Sequence, residues 1–63
     1  MTKAQKIVEH IQKSNGLTNP VIAHWSVGCS VKYAEKIFKY LIETGNVEKE
    51  TRPSGNRYYY IGL

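Results

Sequence analysis

The chain has 63 residues, the length of one small domain, and its apolar fraction of 41% supports a folded core and excludes general disorder. Nine lysines and arginines stand against five glutamates and no aspartate, which gives a formal net charge of +4. This excess favours an anionic partner, nucleic acid before a membrane surface, although a charge that serves only solubility is the alternative.

A single cysteine, Cys29, excludes an internal disulfide. It also excludes a cysteine-based zinc site, because the only other good ligands, His10 and His24, are far apart in the sequence. We expect Cys29 to pack as a small apolar residue; the more specific functional alternative is a redox-sensing thiol. The sequence has neither an apolar run of membrane-spanning length nor the apolar core of a signal peptide. We expect a complete small protein in the cytoplasm, or in the cytoplasm of a host cell.

The first predicted helix spans residues 3–14. Thr2 and Gln5 have the spacing of a capping box, and Gly16 suits the left-handed conformation that often follows a helix. Apolar residues recur at helical spacing at Ala4, Ile7, Val8 and Ile11.

The second predicted helix covers residues 20–26, with Thr18 or Asn19 as its cap and Pro20 at its first position. It is apolar on more than one side, which predicts that neighbouring elements bury it and that Trp25 anchors the core. A turn over residues 27–29 follows, and Gly28 breaks the helix.

The third predicted helix runs over residues 30–44, with Ser30 as its cap and Gly45 after its end. One face is apolar and should pack on the core, while Tyr33 and Tyr40 share a border of that face. The core face holds Ala34, Ile37, Phe38 and Leu41. The opposite face holds Lys32, Glu35, Lys36, Lys39 and Glu43.

A β-hairpin completes the chain, with strands predicted at residues 46–51 and 57–63 and a turn at 53–56. Because side chains alternate between the two faces of a strand, either Tyr59 or the pair Tyr58 and Tyr60 points toward the core. We expect Tyr59, Ile61 and Leu63 inward with Tyr58 and Tyr60 outward, and the opposite parity is the alternative. A short third strand at residues 17–18 is also compatible with the sequence.

Three helices followed by a hairpin make an α+β domain that resembles the winged helix-turn-helix superfamily of DNA-binding proteins over essentially its whole length. The segment that carries the resemblance runs from Val27 to Val47, a serine-capped helix that ends in leucine and glycine before an apolar strand. The resemblance implies a recognition helix over residues 30–44 and a wing over residues 49–57. Ala23 lies seven residues before Ser30 where the common pattern has six, so either the turn is longer or the second helix is rotated.

We therefore expect a small transcriptional regulator that binds double-stranded DNA, with the third helix in the major groove and the wing on the backbone. Small chains of this kind also resemble stand-alone regulators of phages, archaeal viruses and plasmids. The expected DNA-binding residues are Ser30, Lys32, Tyr33, Glu35, Lys36, Lys39, Lys49, Arg52, Ser54, Asn56 and Arg57.

Four further possibilities stay open. The wing charges also fit protection of an exposed strand, and Glu35 could pair with Lys39 instead of reading a base. The whole fold could serve protein–protein interaction, with a host protein as partner, and a homodimer could form through the first helix or the last strand. We expect no catalysis, metal or cofactor, because the glycines are scattered and no nucleophile–base set is recognisable.

Overall fold

A computed structural model describes residues 2–62 as three helices followed by a two-stranded antiparallel hairpin, which confirms the predicted α+β class and order of elements. No strand forms at residues 17–18, so the described residues contain only the two strands of the hairpin. No helix among them is long and apolar enough to cross a bilayer. The elements are α1 (Lys3–Lys13), α2 (Pro20–Val27), α3 (Val31–Glu43), β1 (Val47–Arg52) and β2 (Gly55–Tyr60).

Each helix begins at a side-chain cap, as the sequence predicts. The Thr2 hydroxyl accepts from the Gln5 N–H, and the Gln5 side chain accepts from the Thr2 N–H in return. Ser30 accepts from the third N–H of α3 in the same way. Of the two candidates for α2, Asn19 is the cap. These bonds satisfy N–H groups that have no partner inside a helix, and they fix where each helix starts.

The core lies where α1 and α3 meet the hairpin, and α2 contributes one alanine to it. Phe38 and Tyr58 contact each other edge to face, with ring centroids 5.0 Å apart and planes at 85°, so α3 is fixed against β2. The buried apolar residues are Ile7, Ile11, Ala23, Ala34, Phe38, Leu41, Val47 and Tyr58.

The tyrosine strand has the parity opposite to the one we expected. Tyr58 is buried and Tyr60 packs beside it against the core, whereas Ile61 is exposed; Leu63 lies outside the described residues. The cross-strand register explains the difference, because residues that pair across an antiparallel hairpin have their side chains on the same face, and Val47 of β1 is buried. Arg52 pairs with Gly55 across a two-residue tip, so β2 begins at Gly55. This register sets Tyr60 opposite Val47 and Tyr58 opposite Lys49, on the face turned toward the helices.

The loop between α1 and α2 is joined to β2. The Gly16 N–H donates a hydrogen bond of 2.9 Å to the Tyr58 carbonyl, and the Tyr60 N–H donates one of 2.7 Å to the Asn15 side-chain oxygen. Gly16 has a φ of 79°, as its predicted left-handed role requires, and its α-carbon lies against the Tyr59 ring.

The prediction that α2 is buried is wrong. Ala23 is its only buried residue, while Trp25 has 78% of its surface exposed and Val21 and Ile22 are also exposed. Trp25 is therefore not a core anchor. A 63-residue chain has too few elements to surround an eight-residue helix, so α2 packs on α1 and α3 through one side and leaves the other uncovered.

Candidate functional site

The solvent side of α3 carries a stripe of charged residues, which we call the outer face of α3. All five of its side chains are exposed, while Ala34, Phe38 and Leu41 on the opposite side are buried. The packing of that opposite side fixes which residues face solvent. The outer face of α3 consists of Lys32, Glu35, Lys36, Lys39 and Glu43.

The positive charges lie in the first two-thirds of the stripe. At a rise of about 1.5 Å per residue, Lys32 and Lys39 are separated by roughly 10 Å along the helix axis, and the whole stripe covers about 100° of the circumference. Glu43 lies at the far end, near the last turn. An anion that approached this face would therefore meet three ammonium groups before Glu43, with the Glu35 carboxylate among them.

Two predicted site residues at the start of α3 are already engaged within the fold. The Ser30 hydroxyl accepts the Tyr33 N–H at 3.1 Å, and Tyr33 is half-buried against the core. Tyr40 differs, because 60% of its surface is exposed next to the outer face of α3. The lysines, unlike Tyr33, are free to reorient toward a ligand.

A groove of about 360 Å³ separates α3 from the hairpin. Lys49 lines it from β1 and Lys39 lines it from α3, with Phe38 and Tyr58 at its base. Glu35 and Glu43 line the same groove. The structure thus brings Lys49 to the helix side of the hairpin, where it adds to the charges of α3.

The other two hairpin cations lie on the opposite face of the hairpin. Arg52 forms an ion pair with Glu50, and this hydrogen bond and charge raise the pKa of Arg52. Arg57 lies directly across from Glu50 in the sheet register. The predicted wing cluster is therefore divided between two faces, with Ser54 and Asn56 exposed at or beside the tip.

Glu35 and Lys39 do not form the ion pair that was an alternative to DNA contact. Within residues 2–62, the Glu50–Arg52 contact is the only ion pair. Lys39 is therefore not neutralised by a close carboxylate, although Glu35 and Glu43 still lower the net positive charge of the outer face of α3.

The histidines form hydrogen bonds within the fold, and Cys29 packs as the sequence analysis predicts. His24 Nδ1–H donates to the Cys29 carbonyl at 3.0 Å, and Cys29 packs beside the core. His10 Nε2 lies 2.6 Å from the hydroxyl of buried Thr18. Partial burial lowers the pKa of His10 and so favours its neutral form.

Sequence analysis missed two apolar surfaces. Val21, Ile22 and Trp25 form an exposed strip on α2, and a second groove of about 390 Å³ lies between α1 and α3 with Tyr40 at its margin. For α2 the available signal was its apolar character on all sides in a chain too short to cover it.

Comparison with known proteins found no matching family model, no similar curated protein and no similar solved structure. The function is therefore argued from the surfaces of the chain itself.

Proposed function

We propose that this α+β domain is a winged helix that binds double-stranded DNA as a small transcriptional regulator. The observation that carries the proposal is the outer face of α3, where Lys32, Lys36 and Lys39 are exposed on a helix fixed to the core by its other side. A helix held in this way needs no further ordering of its backbone on binding, so only the lysine side chains lose conformational freedom.

The dimensions of α3 suit the DNA major groove. That groove is about 12 Å wide and admits one α-helix, and in helix-turn-helix proteins the first residues of the recognition helix contact the bases. Lys32 and Lys36 occupy that part of α3 and can reach guanine O6 and N7 or the flanking phosphates. Glu35 lies between them and can accept a hydrogen bond from cytosine N4.

The hairpin supplies backbone contacts in this proposal. Arg52 and Arg57 flank a tip whose exposed Ser54 can donate to a phosphate, and exposed Asn56 can do the same. Lys49 extends the α3 charges along the groove between helix and hairpin. A single module of this kind buries about 600–1,000 Å² on DNA, so specific binding would use two copies. A cytoplasmic location belongs to the same proposal.

The direct test is fluorescence anisotropy of a labelled random-sequence duplex, titrated with the protein at several salt concentrations. Log affinity should fall linearly with log salt, with a slope near −0.9 for each phosphate contacted. Polyglutamate in place of DNA is the control for general attraction to polyanions. Absence of binding to any duplex at low salt, or equal binding of polyglutamate, would contradict the proposal.

A second candidate is a winged helix that binds another protein, such as a host protein. Two carboxylates interrupt the outer face of α3, and Tyr40 is 60% exposed beside the groove between α1 and α3. An apolar groove with an aromatic margin is a common site for a partner helix. A pull-down from host lysate with the wild-type protein and with Tyr40→Ser would support this candidate if only the wild type retained a partner.

A further inference from the structure

The exposed apolar side of α2, which we call the α2 face, consists of Val21, Ile22 and Trp25. Trp25 lies about one helical turn after both Val21 and Ile22, so the three side chains form one continuous strip with Trp25 in the middle. Their exposed fractions are 51%, 43% and 78%. Leu17, just before the helix, is 73% exposed as well. Such a group on so small a domain is typical of an interaction surface.

The α2 face itself lies in a segment of the chain without ionic side chains, and this narrows the choice of partner. Every residue from Ser14 to Val31 is free of lysine, arginine and carboxylate side chains, although 22% of the whole chain is charged. An acidic or basic partner would find no opposite charge in this segment. A second copy of the chain fits instead, because two molecules of charge +4 repel each other least where neither presents an ionic group.

We propose that the α2 face is covered by the α2 face of a second copy, in a symmetric homodimer. In a two-fold arrangement the same strip serves both partners, so Trp25 of each copy can pack on the Val21 and Ile22 side chains of the other. This surface differs from the first helix and the last strand, the dimer surfaces that the sequence suggested. The inference does not rest on DNA binding, since self-association is measured without DNA.

The size of the α2 face predicts a weak dimer. A standard stable interface buries about 800 Å² on each partner, whereas a few side chains beside one short helix present less. Trp25 should provide most of the affinity, because exposed tryptophans that become buried are frequent hot spots. We expect a dissociation constant in the range of about 1 to 100 μM, where monomer and dimer are both measurable.

Sedimentation equilibrium and tryptophan fluorescence test the proposal together. Trp25 is the only tryptophan, so its emission should shift to shorter wavelength as concentration rises from about 1 μM to about 1 mM, in step with the dimer fraction. Trp25→Ser should raise the dissociation constant at least about tenfold, with the five tyrosines supplying absorbance. A wild type that stays monomeric over this range would overturn the proposal.

Val21→Glu provides a variant that retains the fluorophore and the fold. It places a carboxylate in the first turn of α2, where the helix dipole favours it, and sets like charges against each other in the dimer. We expect unchanged helix content and loss of the concentration-dependent emission shift.

Tyr40→Ser, which removes an exposed aromatic side chain outside the α2 face, is the matched control and should dimerise as the wild type does. Dissociation by Tyr40→Ser but not by Val21→Glu would place the interface in the groove between α1 and α3 and overturn the proposal.

Discussion

The backbone N–H of Gly16 donates to the carbonyl oxygen of Tyr58, and this 2.9 Å hydrogen bond joins the loop after α1 to the central residue of the core face of β2. Gly16 has a positive φ of 79°, and a β-carbon built there would lie 2.6 Å from the Tyr59 ring. We expect Gly16→Ala to lower the free energy of unfolding by at least about 2 kcal/mol, from left-handed strain plus displacement of the ring. Urea denaturation measures this change.

Gly45→Ala is the control for that substitution. Gly45 has nearly the same φ, 81°, but a β-carbon there would meet nothing within 4 Å. Gly45→Ala should therefore lower the free energy of unfolding by the left-handed strain alone, about 1 kcal/mol. Equal losses in the two variants would mean that the Tyr59 contact has no energetic role.

Reversing charge on the outer face of α3 tests the proposed DNA contact. The double variant Lys36→Glu/Lys39→Glu should abolish binding to duplex DNA and leave the fold intact, because both side chains are exposed. The matched control is Lys3→Glu/Lys13→Glu on α1, which lowers the net charge from +4 to zero in the same way. Equal loss of affinity in both variants would show that only overall charge matters, and unchanged affinity in the first would refute the recognition-helix assignment.

Glu50 restrains the hairpin cations, since it pairs with Arg52 and lies across from Arg57. Glu50→Gln should strengthen DNA binding by a few-fold at most, because it frees Arg52 for a phosphate. Glu48→Gln changes the net charge equally from the same strand, opposite Tyr59. Anisotropy titrations should show the larger gain for Glu50→Gln; the same gain for both would exclude a specific contribution from Arg52.

His10 should make the stability of the fold depend on pH. Its folded-state pKa lies below the unfolded value of about 6.5, so the unfolded chain binds more protons between the two values. The free energy of unfolding should therefore be fully retained above about pH 6.5 and fall as the pH drops below it. Melting temperatures from about pH 8 to pH 5 should fall less steeply for His10→Gln than for the wild type. If melting temperature depended on pH in the same way for both proteins, His10 would not be the source of the pH dependence.

The charges around His10 are the same in the two proteins of that comparison. Lys6, Glu9 and Lys13 from α1 line the surface groove beside His10, while Ser26 and Val27 from α2 are uncharged. The difference between the wild type and His10→Gln in how melting temperature depends on pH therefore reports the protonation of the His10 imidazole.

The helices could be predicted closely because their signals are local. Ser30 and Gly45 bound α3 through a side-chain cap and a left-handed glycine, and both depend only on neighbouring residues. The charged stripe on α3 followed from helical periodicity alone. The positions of these residues on α3 could therefore be anticipated from the sequence.

The parity of β2 and the exposure of Trp25 could not be predicted, because each depends on distant parts of the chain. Pairing of buried Val47 with Tyr60, and of Lys49 with Tyr58, decided which tyrosines face the core. Burial of Trp25 would have required another element to cover α2, and none of the described elements does. The separation of Lys49 from Arg52 follows from alternation along β1, which places odd and even positions on opposite faces.

The hydrogen bond from the Tyr60 amide to the Asn15 side chain spans 45 positions of the chain. The helices and the hairpin consist of local contacts, whereas this bond forms only after a long loop has closed. If residues 15–16 separate from β2, the Gly16 and Tyr60 amides lose their hydrogen bonds together, while the hydrogen bonds inside α1 and α3 stay formed. Those two amides should therefore exchange their hydrogens with solvent at a common rate, as one cooperative unit whose partners lie at opposite ends of the sequence.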